Sequence, residues 1–298
     1  MPRTFPVRSS GPARGHDVAV AREVNYAIDL PNVGLFADPN LLAELAVATE
    51  RAGWDGFFLW DHLLYSDDWP VVDPWVTLAA IAARTERIRL GLCVALLARQ
   101  LPWEVAKRAA TIDQLSGGRF ILGAGLGSRT EEFTAFGLSS DPTERAGRLD
   151  EALEIVTASW SGLPFAHEGR HFQVEAPAMT PVPAQRPRIP IWVGGRWPNR
   201  APFRRAARFD GVFPIHASYG SGETMPPEEL GAVVDYVARR RAAPFDVALE
   251  GATSSDGRDV ARIDEYVAVG LTWWVEALGW WRGDVVSARQ RIDAGPPR

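Results

Sequence analysis

Apolar runs and helical patterns alternate along the chain from Glu23 onwards. Each run of apolar residues is followed by a segment with apolar residues at helical spacing, which is typical of a buried strand followed by an amphipathic helix. The first helix is bounded by Asp38 and Pro39 at its start and by Gly53 at its end, residues that favour these positions. The pattern predicts eight strands, namely EVNYAIDL (23–30), WDGFFLW (54–60), IRLGLCV (88–94), RFILGAG (119–125), IPIWVGG (189–195), DGVFPI (210–215), FDVALEG (245–251) and LTWWVEAL (271–278).

Eight strand-helix pairs match the size and order of a (β/α)8 TIM barrel, an α/β fold whose strands are covered by helices. An open doubly wound sheet is the alternative fold. The rhythm breaks between the fourth helix and the fifth strand, where Leu163 to Arg188 is rich in Pro and aromatic residues. We expect this Pro-rich insertion to lie outside the barrel, with a short hairpin of its own. Residues 1–22 lack the apolar core of a secretory signal, and we expect a flexible extension before one domain spanning 23–298.

Composition excludes several classes of function. The chain has 32 Lys and Arg against 37 Asp and Glu, a net charge of -5 with the signs interspersed, so no nucleic-acid partner is expected. Cys93 is the only cysteine and the five histidines are scattered, which argues against a disulfide and a metal site. No apolar run is long enough for a membrane span, so we expect a cytoplasmic protein.

Polar residues that follow the strands are the candidate chemistry, because barrel active sites lie at the carboxyl ends of strands. Asp61 and His62 directly follow the second strand. Histidine titrates near neutrality, and a neighbouring carboxylate can orient it for proton transfer. We therefore predict His62 as general acid or base and Asp61 as its support. The alternative is that Asp61 caps the next turn and His62 is merely exposed.

Two glycine-rich strand ends provide room for a ligand. They are GGRFILGAGLGS (117–128) and WVGGRWPNR, which contains Gly194 and Gly195 before a predicted helix near Pro198. Glycine allows close approach to the backbone, and a helix start favours anions, so phosphate binding is one interpretation. The other interpretation is that these glycines serve ordinary packing. Neither motif has the spacing of the dinucleotide fingerprint or the P-loop.

Four segments resemble the luciferase-like flavin-dependent oxidoreductases, and they occur in the order expected for that family: GWDGFFLWDH, TERIRLGLCV, AKRAATIDQLSGGRFILGAGLGSRTEEFTAFG and QRPRIPIWVGGRWPNRAPFRRAARFDGVFP. The resemblance extends from about Val24 to Pro214. The family includes bacterial luciferase, alkanesulfonate monooxygenase and enzymes that use the deazaflavin coenzyme F-420. The resemblance implies hydride transfer or monooxygenation of a small organic substrate with F-420 or FMN.

The resemblance also implies roles for individual residues. His62 and Asp61 would lie near the redox-active ring, and a cis peptide at Cys93-Val94 would press against its face. The family's arginine after the fourth strand is replaced here by Leu126, which slightly favours F-420 over FMN. The remaining cofactor contacts implied are Gly125, Glu131 and Glu132 beside the ring, and Gly194, Gly195, Arg196, Pro214 and Ile215 at the phosphate end.

Aromatic residues are expected to form the substrate pocket. Trp60, Tyr65 and Trp69 crowd the second crossover, and the Pro-rich insertion is expected to fold over the mouth. These aromatic side chains favour an apolar substrate. A separate flavin or deazaflavin reductase and a second copy of the chain are candidate partners. Two other functions stay open: a non-catalytic flavin-binding or storage protein, and a phosphate-binding barrel lyase or isomerase, although Lys107, the only lysine, falls in a predicted helix.

Overall fold

Eight parallel strands close into a barrel in the computed structural model, which describes residues 24–216, 224–254 and 259–297. The predicted extension, 1–22, lies outside the described residues. Going round the barrel the order is β1-β2-β3-β4-β7-β8-β9-β10, and β10 pairs with β1. The (β/α)8 TIM barrel is therefore confirmed and the open sheet is excluded. The strands are β1 (Asn25–Leu30), β2 (Gly56–Leu59), β3 (Arg89–Leu96), β4 (Phe120–Gly125), β7 (Ile191–Arg196), β8 (Gly211–Ile215), β9 (Asp246–Gly251) and β10 (Trp273–Ala277), with β5 (Phe165–Glu168) and β6 (Gln173–Ala176) apart from the barrel.

Each barrel strand is followed by a helix. Asp38 caps the first helix, since its carboxylate accepts hydrogen bonds from the backbone amides of Asn40 and Leu41 at 2.8 and 3.4 Å. None of the described helices is both long and apolar enough to cross a membrane. The helices are α1 (Pro39–Arg51), α2 (Pro74–Ala82), α3 (Pro102–Leu115), the short α4 (Glu131–Thr134), α5 (Pro142–Ser159), α6 (Arg200–Ala206), α7 (Pro227–Ala238), α8 (Val260–Ala268) and α9 (Val285–Asp293).

The barrel interior is filled in its lower part by large side chains. Phe58, Trp192 and Trp273 pack together there, with ring centroids 5.3 to 6.2 Å apart. Side chains alternate between the two faces of a strand, so the next inward position lies two residues later. At that level the chain places glycines and carboxylic acids, including Gly194 two residues after Trp192. The change from large to small or polar side chains ends the core and leaves a cavity above it.

The segment between α5 and β7 packs against the outer helices. Its strands β5 and β6 form an antiparallel hairpin. The carboxylate of Glu151 on α5 accepts hydrogen bonds from the backbone amides of Arg170, His171 and Phe172. On α3, Asp113 accepts from the backbone and side-chain amides of Gln185 at 3.0 and 2.7 Å. The expectation that this segment covers the barrel mouth is wrong, because its hydrogen bonds to Glu151 and Asp113 hold it against α5 and α3.

Candidate functional site

A cavity of about 360 Å³ opens at the carboxyl ends of the barrel strands. This volume lies within the range of small-molecule sites, about 300–1,000 Å³. The structure brings most of the predicted site residues together here, although they come from five strands or the loops after them. The predicted residues that line it are Trp60, Asp61, His62, Cys93, Val94, Gly125, Gly194, Gly195, Arg196 and Ile215.

His62 is held by Glu132. The Nδ1 atom of His62 lies 3.1 Å from Oε2 of Glu132, which is completely buried. The other carboxylate oxygen accepts from the backbone amides of Leu63 and Leu64. Burial alone would raise the pKa of Glu132, but the hydrogen bond and charge of His62 and the two amides outweigh it and lower the pKa. Glu132 is therefore an anion that orients the imidazole ring.

Asp61 does not perform the role predicted for it. Its carboxylate accepts from Arg99 at 2.6 Å, and from the amide of Leu96 and the side chain of Gln100 at 2.9 Å. Burial raises the pKa of Asp61 despite the opposing charge of Arg99. Consecutive side chains point in different directions as the chain leaves β2. His62 therefore contacts Glu132, whereas Asp61 contacts β3 and the segment after it. Asp61 fixes the loop, not the imidazole.

The third strand contributes a bulge that faces the cavity. The peptide bond between Cys93 and Val94 is cis, as the resemblance implied, and the pairing of β3 with β4 shifts register between Leu92 and Ala95. A β-carbon on Gly125 would lie 2.4 Å from Val94 Cγ2, and one on Gly194 would lie 3.0 Å from Val94 Cγ1. Glycine at these two positions is what leaves room for the bulge.

Gly194 and Gly195 belong to β7, as the predicted strand IPIWVGG implied. The helix α6 begins at Arg200, and its first amides are capped by Asn199. A β-carbon on Gly195 would lie 2.2 Å from Cβ of Pro202, so this glycine allows α6 to pack on the barrel. The predicted helix start near Pro198 is confirmed, since the N-cap Asn199 directly follows that residue. Gly194 and Gly195 line the cavity as strand residues.

Five predicted site residues lie outside the cavity lining, and one of them, Glu132, is the residue that holds His62. Glu131 is exposed on α4, because its neighbour Glu132 takes the inward position. Pro214 is buried on the outer face of β8, since Phe213 and Ile215 occupy the inner one. Tyr65 stacks on Trp69 with ring centroids 5.9 Å apart, and Tyr65 also contacts Trp60 and His62.

The aromatic rim includes two residues that sequence analysis did not select. Trp281 stacks on Trp60 with centroids 5.5 Å apart and planes 10° apart, and Trp280 contacts Tyr65 and Trp69 at 5.2 and 4.9 Å. Trp281 is 43% exposed. The two tryptophans follow β10, so only closure of the barrel brings them beside the loop after β2. The rim presents flat apolar surfaces beside His62.

Two carboxylic acids, Asp29 and Glu250, are buried on the inner face of the barrel below the cavity, and Glu250 is part of its lining. Asp29 on β1 is 1% exposed, and Glu250 on β9 lines the cavity. Burial, and then the charge of Glu250, raises the pKa of Asp29 well above its usual value, and burial raises that of Glu250 to about 7. An acid inside the apolar strand NYAIDL was the available sequence signal for Asp29. We call Asp29, Cys93 and Glu250 the cavity floor.

The stability of the protein is expected to fall between about pH 4.5 and pH 7 because of Glu250. Its pKa is raised from 4.5 to about 7 on folding. Between these values the unfolded chain has released the proton that the folded chain retains, so rising pH favours unfolding. The loss is at most about 3 kcal/mol, from about 1.4 kcal/mol per pKa unit. Urea unfolding at pH 5 and pH 8 should show a smaller fall for Glu250→Gln than for wild type; equal falls would contradict the assignment.

Comparisons with known proteins agree with this geometry. The family model described as luciferase-like monooxygenase matches residues 26–274. An uncharacterised protein of Mycobacterium tuberculosis is 32% identical over 226 residues, covering 68% of this chain and 74% of the relative. The F420-dependent glucose-6-phosphate dehydrogenase of Nakamurella multipartita is 32% identical over 229 residues, covering 73% and 64%.

A solved structure extends the likeness over most of the fold. The oxygenating constituent of 3,6-diketocamphane monooxygenase from Pseudomonas putida, a type II Baeyer-Villiger monooxygenase in complex with FMN, superposes with a TM-score of 0.71 at 15% identity. It covers 91% of this chain and 96% of its own. The family model, the barrel and the cavity at its carboxyl end lead to one conclusion: the chain belongs to the luciferase-like monooxygenase family.

Proposed function

We propose that the protein is an oxidoreductase that binds a flavin-type cofactor in the cavity and transfers a hydride to or from a small organic substrate. The observation that carries this proposal is the position of His62. It lines the same cavity as the Cys93-Val94 bulge, and its ring is fixed by the buried carboxylate of Glu132. Hydride transfer requires a group that donates or accepts a proton next to the surface that binds the planar ring of the cofactor.

The cavity fits a planar ring with a polar tail. Val94 and the backbone at Gly125 and Gly194 supply a flat apolar wall, and Ser128, Asn199 and Arg196 supply polar groups towards the outside. When bound, the cofactor would donate or accept the hydride of the reaction. The protein would position the ring and exclude water. Because Glu132 occupies Nδ1 of His62, Nε2 is the atom that would exchange a proton with the substrate.

Coenzyme F-420 is favoured over FMN. Leu126 lines the cavity at the position where FMN-binding relatives are expected to have an arginine, so that phosphate anchor is absent. The relative from Nakamurella multipartita, whose name states dependence on F420, supports the same choice. The aromatic rim favours an apolar substrate over a sugar phosphate. A cytoplasmic location stays a prediction.

Monooxygenation with reduced FMN is the second candidate, and the FMN complex of the Pseudomonas putida enzyme supports it. In that case a separate flavin reductase would deliver the reduced cofactor, and the aromatic rim would shield the oxygenated site from water. Steady-state assays separate the two functions. Oxygen uptake that depends on reduced FMN supports monooxygenation, whereas oxidation of reduced F-420 by organic acceptors without oxygen supports hydride transfer. A protein that binds but turns over neither cofactor is a storage relative.

Direct binding tests the proposal first. We expect F-420 to bind the apo-protein more tightly than FMN in parallel fluorescence titrations. Gly194→Val should weaken binding at least tenfold, about 1.4 kcal/mol, because its side chain would enter the space between β7 and Val94. Gly231→Ala on α7 is the control, since a β-carbon there makes only ordinary contacts with Val269 at 3.5 Å. Failure of both cofactors to bind, or equal binding by the Gly194→Val variant, contradicts the proposed site.

A further inference from the structure

We propose that Asp29 and Glu250 share one proton, and that this pair donates a hydrogen bond from the cavity floor to a carbonyl-type acceptor on the bound ligand. Both residues point into the barrel. Asp29 follows Ala27 by two residues on β1, and Glu250 follows Ala248 by two on β9, and both alanines belong to the inner core. The two strands flank β10. The proposal depends on the proposed function only for the choice of ligand.

The hydrogen bonding of the pair is incomplete. Trp60 Nε1 donates to Oδ2 of Asp29 at 2.7 Å, which fixes the carboxyl group. Oδ1 of Asp29 is buried and has no partner among the described residues. Within the same part of the chain, the side chain of Glu250 makes no hydrogen bond, although it lines the cavity. Buried polar atoms are nearly always satisfied in folded proteins, so these oxygens point to a ligand or a shared proton.

The charges around the pair favour the shared proton. Burial and the two carboxylates raise the pKa of the Cys93 thiol on β3, so this neighbour is a neutral thiol. The other titratable side chains that line the cavity are Asp61, His62 and Arg196; Asp61 binds Arg99, and His62 binds Glu132. No described Arg, Lys or His forms an ion pair with Asp29 or Glu250. Two buried carboxylates without a cation cannot both be ionised at low cost, so one proton stays between them.

A shared proton gives the floor a specific chemistry. A protonated carboxyl group is a hydrogen-bond donor, whereas a carboxylate only accepts. Below the pH at which the pair loses its proton, the floor can donate to a carbonyl oxygen, which the cofactor ring or a carbonyl substrate would supply. Above that pH the donor is lost and the floor repels electron-rich acceptors. Binding of such ligands therefore weakens as the pH rises.

The test measures dissociation constants for F-420 and FMN between about pH 6 and pH 9. For wild type we expect at least about a tenfold rise of the constant over this range, the loss of one useful hydrogen bond. Glu250→Gln keeps a donor at every pH and should bind with the acid-side affinity throughout. Glu250→Ala has no donor and should bind weakly throughout. Asp113→Asn, which alters a buried carboxylate outside the cavity, should retain the wild-type profile.

Further measurements identify whether the cofactor or the substrate accepts the hydrogen bond. They also separate this proposal from the proposed function. If the substrate carries the hydrogen-bond acceptor, the dissociation constants of the cofactors do not change with pH. The KM of a ketone substrate, measured at saturating coenzyme, then rises with pH instead. The proposed Asp29–Glu250 pair is overturned if neither the cofactor dissociation constant nor the KM changes with pH. It is also overturned if Glu250→Gln shows the same rise as wild type. If neither cofactor binds wild type, the proposed function fails, and infrared spectra of the apo-protein decide on the pair. A protonated-carboxyl band at pH 6 that Glu250→Gln abolishes supports it, and the absence of that band overturns it.

Discussion

His62→Ala is expected to lower the turnover number by about 10²–10⁴-fold, the usual contribution of a general acid or base. The imidazole lines the cavity beside the Cys93-Val94 bulge, and Glu132 holds its Nδ1. Alanine removes the proton-handling group and leaves the walls of the cavity, so cofactor affinity should change much less. The measurement is a pH-rate profile for oxidation of reduced F-420 with a panel of organic acceptors, together with separate cofactor titrations.

Two neighbouring variants test the same assignment. Glu132→Gln removes the charge that orients His62, so it should lower turnover by a factor between those of wild type and His62→Ala. Asp61→Asn should mainly lower stability, because Asp61 binds Arg99 and the amide of Leu96. Wild-type turnover by His62→Ala across the pH range would show that His62 is structural. A larger kinetic effect of Asp61→Asn than of Glu132→Gln would reverse the roles assigned to the two carboxylates.

Glu276→Gln is expected to lower the free energy of unfolding by about 3–5 kcal/mol, the usual cost of leaving a buried charge unpaired. Glu276 on β10 is completely buried and faces the helix layer, not the cavity. Its carboxylate lies 2.5 Å from Arg282 and 3.3 Å from Arg291, and it accepts from the backbone and hydroxyl of Thr253. Glutamine retains the volume but leaves Arg291, which is 7% exposed, without its counter-charge.

Urea unfolding at constant pH measures this effect. The matched control is Asp293→Asn, which breaks the exposed pair between Arg289 and Asp293 on α9 and should change stability by no more than about 0.5 kcal/mol. Both substitutions remove one acidic charge near the carboxyl terminus. The difference between their effects on the free energy of unfolding therefore measures the effect of burying the ion pair. Equal effects of the two substitutions would show that the Glu276 network does not hold α9 to the barrel.

Local pattern was sufficient to predict the barrel. Strand and helix periodicity depend on neighbouring residues, and caps such as Asp38 mark helix starts within one turn. The hairpin segment was also recognisable, because its Pro-rich composition interrupts the alternation. Its location was not. The hydrogen bonds from the hairpin to Glu151 join residues about 20 positions apart, and no local pattern shows which carboxylate holds which amide.

By itself, the sequence determined the order of the eight strands, the position of His62 at a strand end and the glycines around the cavity. Only the tertiary structure decided which groups meet. Glu132 replaces Asp61 as the partner of His62, Trp281 stacks on Trp60, and the charge of Glu250 raises the pKa of Asp29. The physical reason is barrel closure, which joins β1 to β10 and places side chains from opposite ends of the domain, such as Ala27 and Val275, on one inner surface. Periodicity gives the face on which a side chain lies, whereas contact between faces depends on strand order and register.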